Sequence, residues 1–173
     1  MTISLETLNS LPAEEAANLF RACCGATSWI SSMVERRPYP SAAQMLDTAD
    51  HFWSATSVDG RYEAFAHHPR IGETKSAAEQ SLRAREWSEG EQSRARGASS
   101  GVFDQMALVN QAYEKKFGFT YIVSAAGKTA DDLLNMARAR LKNDRDTELR
   151  VATEEQRIIT RLRLQKLIGD DAS

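Results

Sequence analysis

A three- and four-residue beat of apolar side chains is what most constrains this chain. Ala42, Met45, Leu46, Ala49, Phe52 and Trp53 recur at that spacing behind Ser41. Such a stripe is buried along one face of a helix lying against other helices, with Ser41 as the expected N-cap. The beat returns in Trp29, Ile30 and Met33, set apart by Pro38 and Pro40, and again in Val102, Phe103, Met106, Val109 and Tyr113. A first helix is expected from near Pro12, where Glu14 and Glu15 suit the first turn. Thr129 and Asp132 have capping-box spacing and open a helix through Leu133, Leu134, Ala137 and Leu141. The last helix is expected over Thr147 to Ile168 and is rich in arginine. Trp29, Trp53, Phe52, Phe103 and Met106 are expected in the core.

Only Phe117-Gly-Phe-Thr-Tyr-Ile-Val123 has the aromatic and β-branched character of a strand, and Gly127 bounds it. A lone strand has no sheet to join, so a short extended connector near 117–123, packed on helices, is expected instead. Val58-Asp-Gly60 and Gly97-Ala-Ser-Ser-Gly101 read as loops. No internal repeat or low-complexity tract is present. The expected fold is all-α: a single-domain bundle of roughly eight helices over residues 1–173, with its core at about 5–168.

Composition narrows the function classes. A chain of 173 residues is one domain's worth of sequence. Its charge of 22 − 24 = −2 and pI near 6.0 leave no basic footprint for nucleic acid. The longest run without a charge, Ala22 to Val34, is 13 residues, too short to span a bilayer. Glu6 stands near the N-terminus and no basic residue precedes Arg21, unlike a secretory signal. Cys23 and Cys24 are sequence neighbours and provide no disulfide framework. The ending Asp170-Asp-Ala-Ser173 is not a peroxisomal tripeptide. These features give the expectation of a cytoplasmic protein without membrane or nucleic-acid partners.

Three segments concentrate chemistry. In Glu63-Ala-Phe-Ala-His67-His68-Pro69-Arg70-Ile-Gly72-Glu73, Pro69 disfavours helix at His68 and ends any helix before it. His68 then projects from a helix end, either as a surface or capping side chain or as a group that exchanges protons near neutrality. Adjacent His67 and His68, with His51 elsewhere, do not match a zinc spacing. In Glu86-Trp87-Ser88-Glu89-Gly90-Glu91-Gln92-Ser93, Ser88 and Glu91 fit a capping box. The same geometry favours anions at a helix start, and Glu91 either caps the backbone or turns to orient His68. In the last helix, Arg163 shares an i±4 row with Ile159 and Leu167, whereas Arg161 shares one with Arg157 and Gln165. An arginine on an apolar row either snorkels to water or has a buried anionic partner. Arg163 is therefore the better candidate to hold a carboxylate.

Cys23-Cys-Gly25 with Trp29, Met33 and Arg37-Pro38, His68-Pro-Arg-Ile-Gly72, Ser88-x-x-Glu91-Gln92, Phe117-Gly-Phe119 and Arg163-Leu164 occur in that order. Together they resemble the OHCU decarboxylase family, which acts on 2-oxo-4-hydroxy-4-carboxy-5-ureidoimidazoline, over residues 5 to 168. The resemblance implies an all-helical, cofactor-free and metal-free enzyme, commonly a homodimer. It would complete the route from urate to (S)-allantoin, working after urate oxidase and hydroxyisourate hydrolase. It carries the catalytic histidine onto His68 rather than His67, with Glu91 and Arg163 beside it. Pro69, Ser88, Gln92 and the backbone from Phe119 to Ile122 would bind substrate. Ala26-Thr-Ser28 follows Gly25 where the family commonly has a serine, and the 75–85 stretch has no assignable role.

The chemistry implied is coherent. Decarboxylation needs a held carboxylate, an electron sink and a proton for the carbanion. Here the substrate's own ring would be the sink, Arg163 would anchor an oxygen, and His68 would handle the 4-hydroxyl and deliver the proton. Glu91 would bind the ureido group or hold His68, while Ser88 and Gln92 orient the substrate. Two rival readings stand beside it. In one, a helical adaptor uses Glu91 only as a cap and presents an apolar surface to another protein. In the other, a metal-dependent hydrolase uses Glu63, His67 and His68.

Overall fold

The computed structural model describes residues 2–71 and 100–169. Among them are eight helices and no strand: α1 (Leu5–Ser10), α2 (Ala13–Cys23), α3 (Thr27–Glu35), α4 (Ala42–Ala55), α5 (Val58–Ala66), α6 (Ser100–Phe117), α7 (Ala130–Arg140) and α8 (Arg145–Ile168). The all-α expectation is met. The chain forms two compact units, one of Met1–Ala64 with Arg157–Ser173, the other of Phe65–Gln156.

In the first unit, α1 and α4 start on side-chain caps of their own. The Ser4 side chain accepts from the Thr7 N–H at 3.0 Å and Ser41 accepts from Gln44 at 3.2 Å. The α3 start has no cap of its own; the Glu63 carboxylate supplies it by accepting from the Thr27 N–H at 3.0 Å and from the Thr27 hydroxyl. Helix α3 packs on α2 and α4. Trp29 lies edge-on to Phe20, with centroids 6.0 Å apart, and donates its indole N–H to the Ala49 carbonyl at 3.0 Å. Burying side chains of this size contributes about 1.5–3 kcal/mol each.

The second unit centres on an aromatic cluster. Tyr113 and Phe117 of α6, 4.7 Å apart between centroids, meet Phe119 and Tyr121 at 5.2 to 6.1 Å, and Phe65 lies 5.2 Å from Phe119. Gly118, at φ +80°, turns the chain out of α6. Tyr121 to Ala125 then run buried, outside any helix. Side chains replace a sheet partner: Arg140 Nη1 donates to the Ile122 carbonyl at 2.8 Å, and the Ser124 N–H donates to Glu155 at 2.7 Å. The expected connector is present, with Phe117 itself still helical.

A buried polar network fixes this arrangement. Glu148 accepts from Arg140 Nε at 2.7 Å, from Asn143 at 2.8 Å and from the Tyr113 hydroxyl. The Arg140 guanidinium also lies 4.8 Å from the Tyr121 ring centroid. Burial opposes the Arg140 charge, but the Glu148 hydrogen bond and neighbouring charges hold its pKa above the ordinary value. Burial drives the Tyr113 hydroxyl upward, so it remains a donor to Glu148.

Several local expectations need correction. Val58-Asp-Gly60 is the first turn of α5, because Ser57 Oγ accepts from the Gly60 N–H at 3.2 Å. Glycine is required there by packing: a Cβ would lie 2.7 Å from Thr56 Cγ2. Ser100 and Gly101 begin α6, so only 97–99 of the other expected loop lie outside the described residues. Helix α1 precedes the helix expected near Pro12, and α8 starts at Arg145, where Asp144 accepts from the Thr147 N–H at 2.8 Å. Phe52 and Phe103 are half-buried, whereas Trp29, Trp53 and Met106 are core.

Candidate functional site

His68 follows the end of α5, and its backbone N–H donates to the Phe65 carbonyl at 3.1 Å. Pro69 comes next, and both residues are half-buried. The imidazole Nε2 lies 2.7 Å from Oε1 of Gln156 on α8. That oxygen offers only lone pairs, so Nε2 carries the proton of this bond. Gln156 has 0% exposure. Beyond the ring, Asn110 Nδ2 donates to the Ile71 carbonyl at 2.9 Å and Arg70 pairs with Glu114, so α6 holds the segment that follows Pro69.

The same unit places Phe119 and Ile122 in the connector, both buried. Phe65 joins the two parts: its carbonyl takes the His68 N–H and its ring meets Phe119. His68, Pro69, Phe119 and Ile122 are therefore gathered in one unit. Ser88, Glu91 and Gln92 lie outside the described residues, as does the 75–85 stretch.

Arg163 belongs to the other unit. It is only 4% exposed, between Ile159 at 4% and Leu167 at 0% on its row, so it does not snorkel. Nη1 reaches the Ala22 carbonyl at 3.4 Å. Cys24 is nearby: burial pushes its thiol up to about 11, against the Ala26 N–H, the Thr160 side chain and the Arg163 charge. It stays a neutral thiol. Arg161, expected to be solvated, is half-buried and pairs with Asp50 at 3.0 Å, and Arg157 shares that carboxylate at 2.9 Å.

Gln156 is the residue that sequence reasoning missed. Its signal was there: it stands on the buried face of α8 with Ala152 and Ile159, where an aliphatic residue is ordinary. Two of the three groups invoked for a hydrolase have other partners, Glu63 bonding to Thr27 and His68 to Gln156. Among the described residues no three His, Cys, Asp or Glu side chains are grouped to hold a metal ion. Those same residues expose two large hydrophobics, Val58 in the first unit and Leu108 in the second.

Fold and site together define an all-helical protein with a histidine held at a helix end by a buried amide. Residues 9–165 match the family model described as OHCU decarboxylase. The chain belongs to the OHCU decarboxylase family. It is 35% identical over 154 residues to the uric acid degradation bifunctional protein TTL of Arabidopsis thaliana, covering 88% of this chain and 47% of that one. Over 167 residues it is 24% identical to the 2-oxo-4-hydroxy-4-carboxy-5-ureidoimidazoline decarboxylase of Amia calva, covering 96% and 95%. A crystal structure of OHCU decarboxylase in the presence of (S)-allantoin superposes with a TM-score of 0.76 and 31% identity, covering 88% of this chain and 99% of that one. The chain thus spans about half the length of the plant relative and, at 32%, about a third of a bifunctional relative from Bacillus sp. (strain TB-90). No helix among the described residues is long and apolar enough to cross a membrane.

Proposed function

We propose that this chain decarboxylates 2-oxo-4-hydroxy-4-carboxy-5-ureidoimidazoline to (S)-allantoin, with no cofactor. Family membership supports the substrate class, and the observation that carries the chemistry is His68 held by Gln156 at 2.7 Å. As the carboxylate leaves as CO2, its electron pair flows into the bond toward the ureido-bearing carbon and onto the ring C=N nitrogen, which takes a proton. The resulting enol loses its hydroxyl proton to become the 4-carbonyl, and the ureido-bearing carbon gains one. The net change is one proton in and one CO2 out. His68 takes the hydroxyl proton and returns one to a single face, which sets the enantiomer. Arg163 anchors an anionic or carbonyl oxygen of the substrate.

Glu91 binds the ureido group or supports His68, and Ser88, Gln92, Pro69 and the Phe119–Ile122 backbone orient the ring. The working form is a cytoplasmic homodimer, which sedimentation would read as twice 19.2 kDa. It acts on the product of hydroxyisourate hydrolase, itself supplied by urate oxidase. Substrate generated fresh with those two enzymes provides the test, with allantoin followed by circular dichroism. The expected result is rapid growth of the (S) signal, reduced about 10²–10⁴-fold in His68→Ala. A slow racemic background with the wild-type chain would overturn the assignment.

A further inference from the structure

We infer that Gln156 is a positioning residue for His68, fixing the imidazole as its Nε2–H tautomer and setting the direction in which the ring faces its substrate. This rests on the reading of His68 as the acid–base group. The geometry is specific. Oε1 accepts from Nε2 at 2.7 Å, and the Gln156 side chain is fully buried. Among the described residues, the buried side-chain polar atoms without a partner are Arg61 Nε and Asn110 Oδ1. Neither polar atom of the Gln156 amide is among them, and an amide turned end for end would set its N–H against Nε2. With Nε2 protonated, the neutral ring carries its lone pair on Nδ1.

A buried amide on an aliphatic face is expensive unless its hydrogen bonds are made. Leucine or methionine would fill the same place in α8 without that cost. What glutamine adds is a neutral acceptor. A carboxylate would also select the Nε2–H tautomer, but it would favour the imidazolium as well. A neutral carbonyl orients the ring and leaves it free of that charge bias, which suits a group that must both take and return a proton.

Gln156→Met and Gln156→Glu separate orientation from charge. In the wild-type chain, the 15N shifts of His68 should report the Nε2–H tautomer. In Gln156→Met the ring should become a tautomer mixture, with kcat down tenfold or more and KM changed less than threefold. In Gln156→Glu the tautomer should persist, with the His68 titration and the matching limb of the pH–rate profile both moved to higher pH. An Nδ1–H tautomer in the wild type, or an unmoved tautomer in Gln156→Met, would overturn the inference. The shifts are read without turnover, so a chain inactive on the ureidoimidazoline would sink the proposed reaction while the tautomer still decides the role of Gln156.

Discussion

Arg163 shows how burial decides between two roles that look alike in a sequence. Its stem runs among Ile159 and Leu167, and its head is sealed from water at 4% exposure. Lysine at that position has a similar length but a compact ammonium in place of the planar fork. Arg163→Lys should therefore fold, keep its helical circular dichroism, and lose at least tenfold in kcat/KM for the ureidoimidazoline. Unchanged kcat/KM would remove Arg163 from substrate binding. The apolar row of Arg163 was legible in the sequence, because an i±4 row is local information. Gln156 was missed because its partner stands 88 residues away, a distance that no periodicity encodes.

At the scale of elements, two helix starts were legible from caps that lie within four residues. Ser41 and the Thr129–Asp132 box could be read directly, and both are formed. Helix α1 is six residues long and buries only Leu8, too little for a stripe to show. Helix α5 was hidden by Gly60, which read as a turn-former but is there because Thr56 leaves no room for a Cβ. The caps also titrate. Hydrogen bonds from the Thr129 backbone and hydroxyl hold Asp132 below its ordinary 3.8, and Thr147 does the same for Asp144. A depressed folded value contributes stability above the unfolded pKa and loses it as pH falls through the folded one. The melting temperature should thus fall on acidification below about pH 4, and fall less steeply in an Asp132→Asn, Asp144→Asn double variant. Identical acid slopes would show that these caps contribute nothing.

For the molecule as a whole, the two cysteines report on unfolding. Cys23 is 0% exposed and Cys24 is 1% exposed. With its pKa at about 11, the Cys24 thiol would be about one part in a thousand thiolate at pH 8. Ellman's reagent at pH 8 should titrate no thiol rapidly in the native chain and two per chain in denaturant. Prompt reaction of either thiol in the native chain would mean that the core around Trp29 and Arg163 opens far below the global unfolding free energy.

The buried face of α8 also sets how freely this helix can drift over generations. Ala152, Ile159, Leu164 and Leu167 are held by volume alone, and neighbours of similar size can replace them with small penalties. Glu148, Gln156, Thr160 and Arg163 are equally hidden but are held by what they bond. A lineage can respell the first four at leisure, whereas each of the second four can change only when a partner on another segment changes in step. Two kinds of evolutionary clock therefore run along one helix, interleaved at three- and four-residue steps.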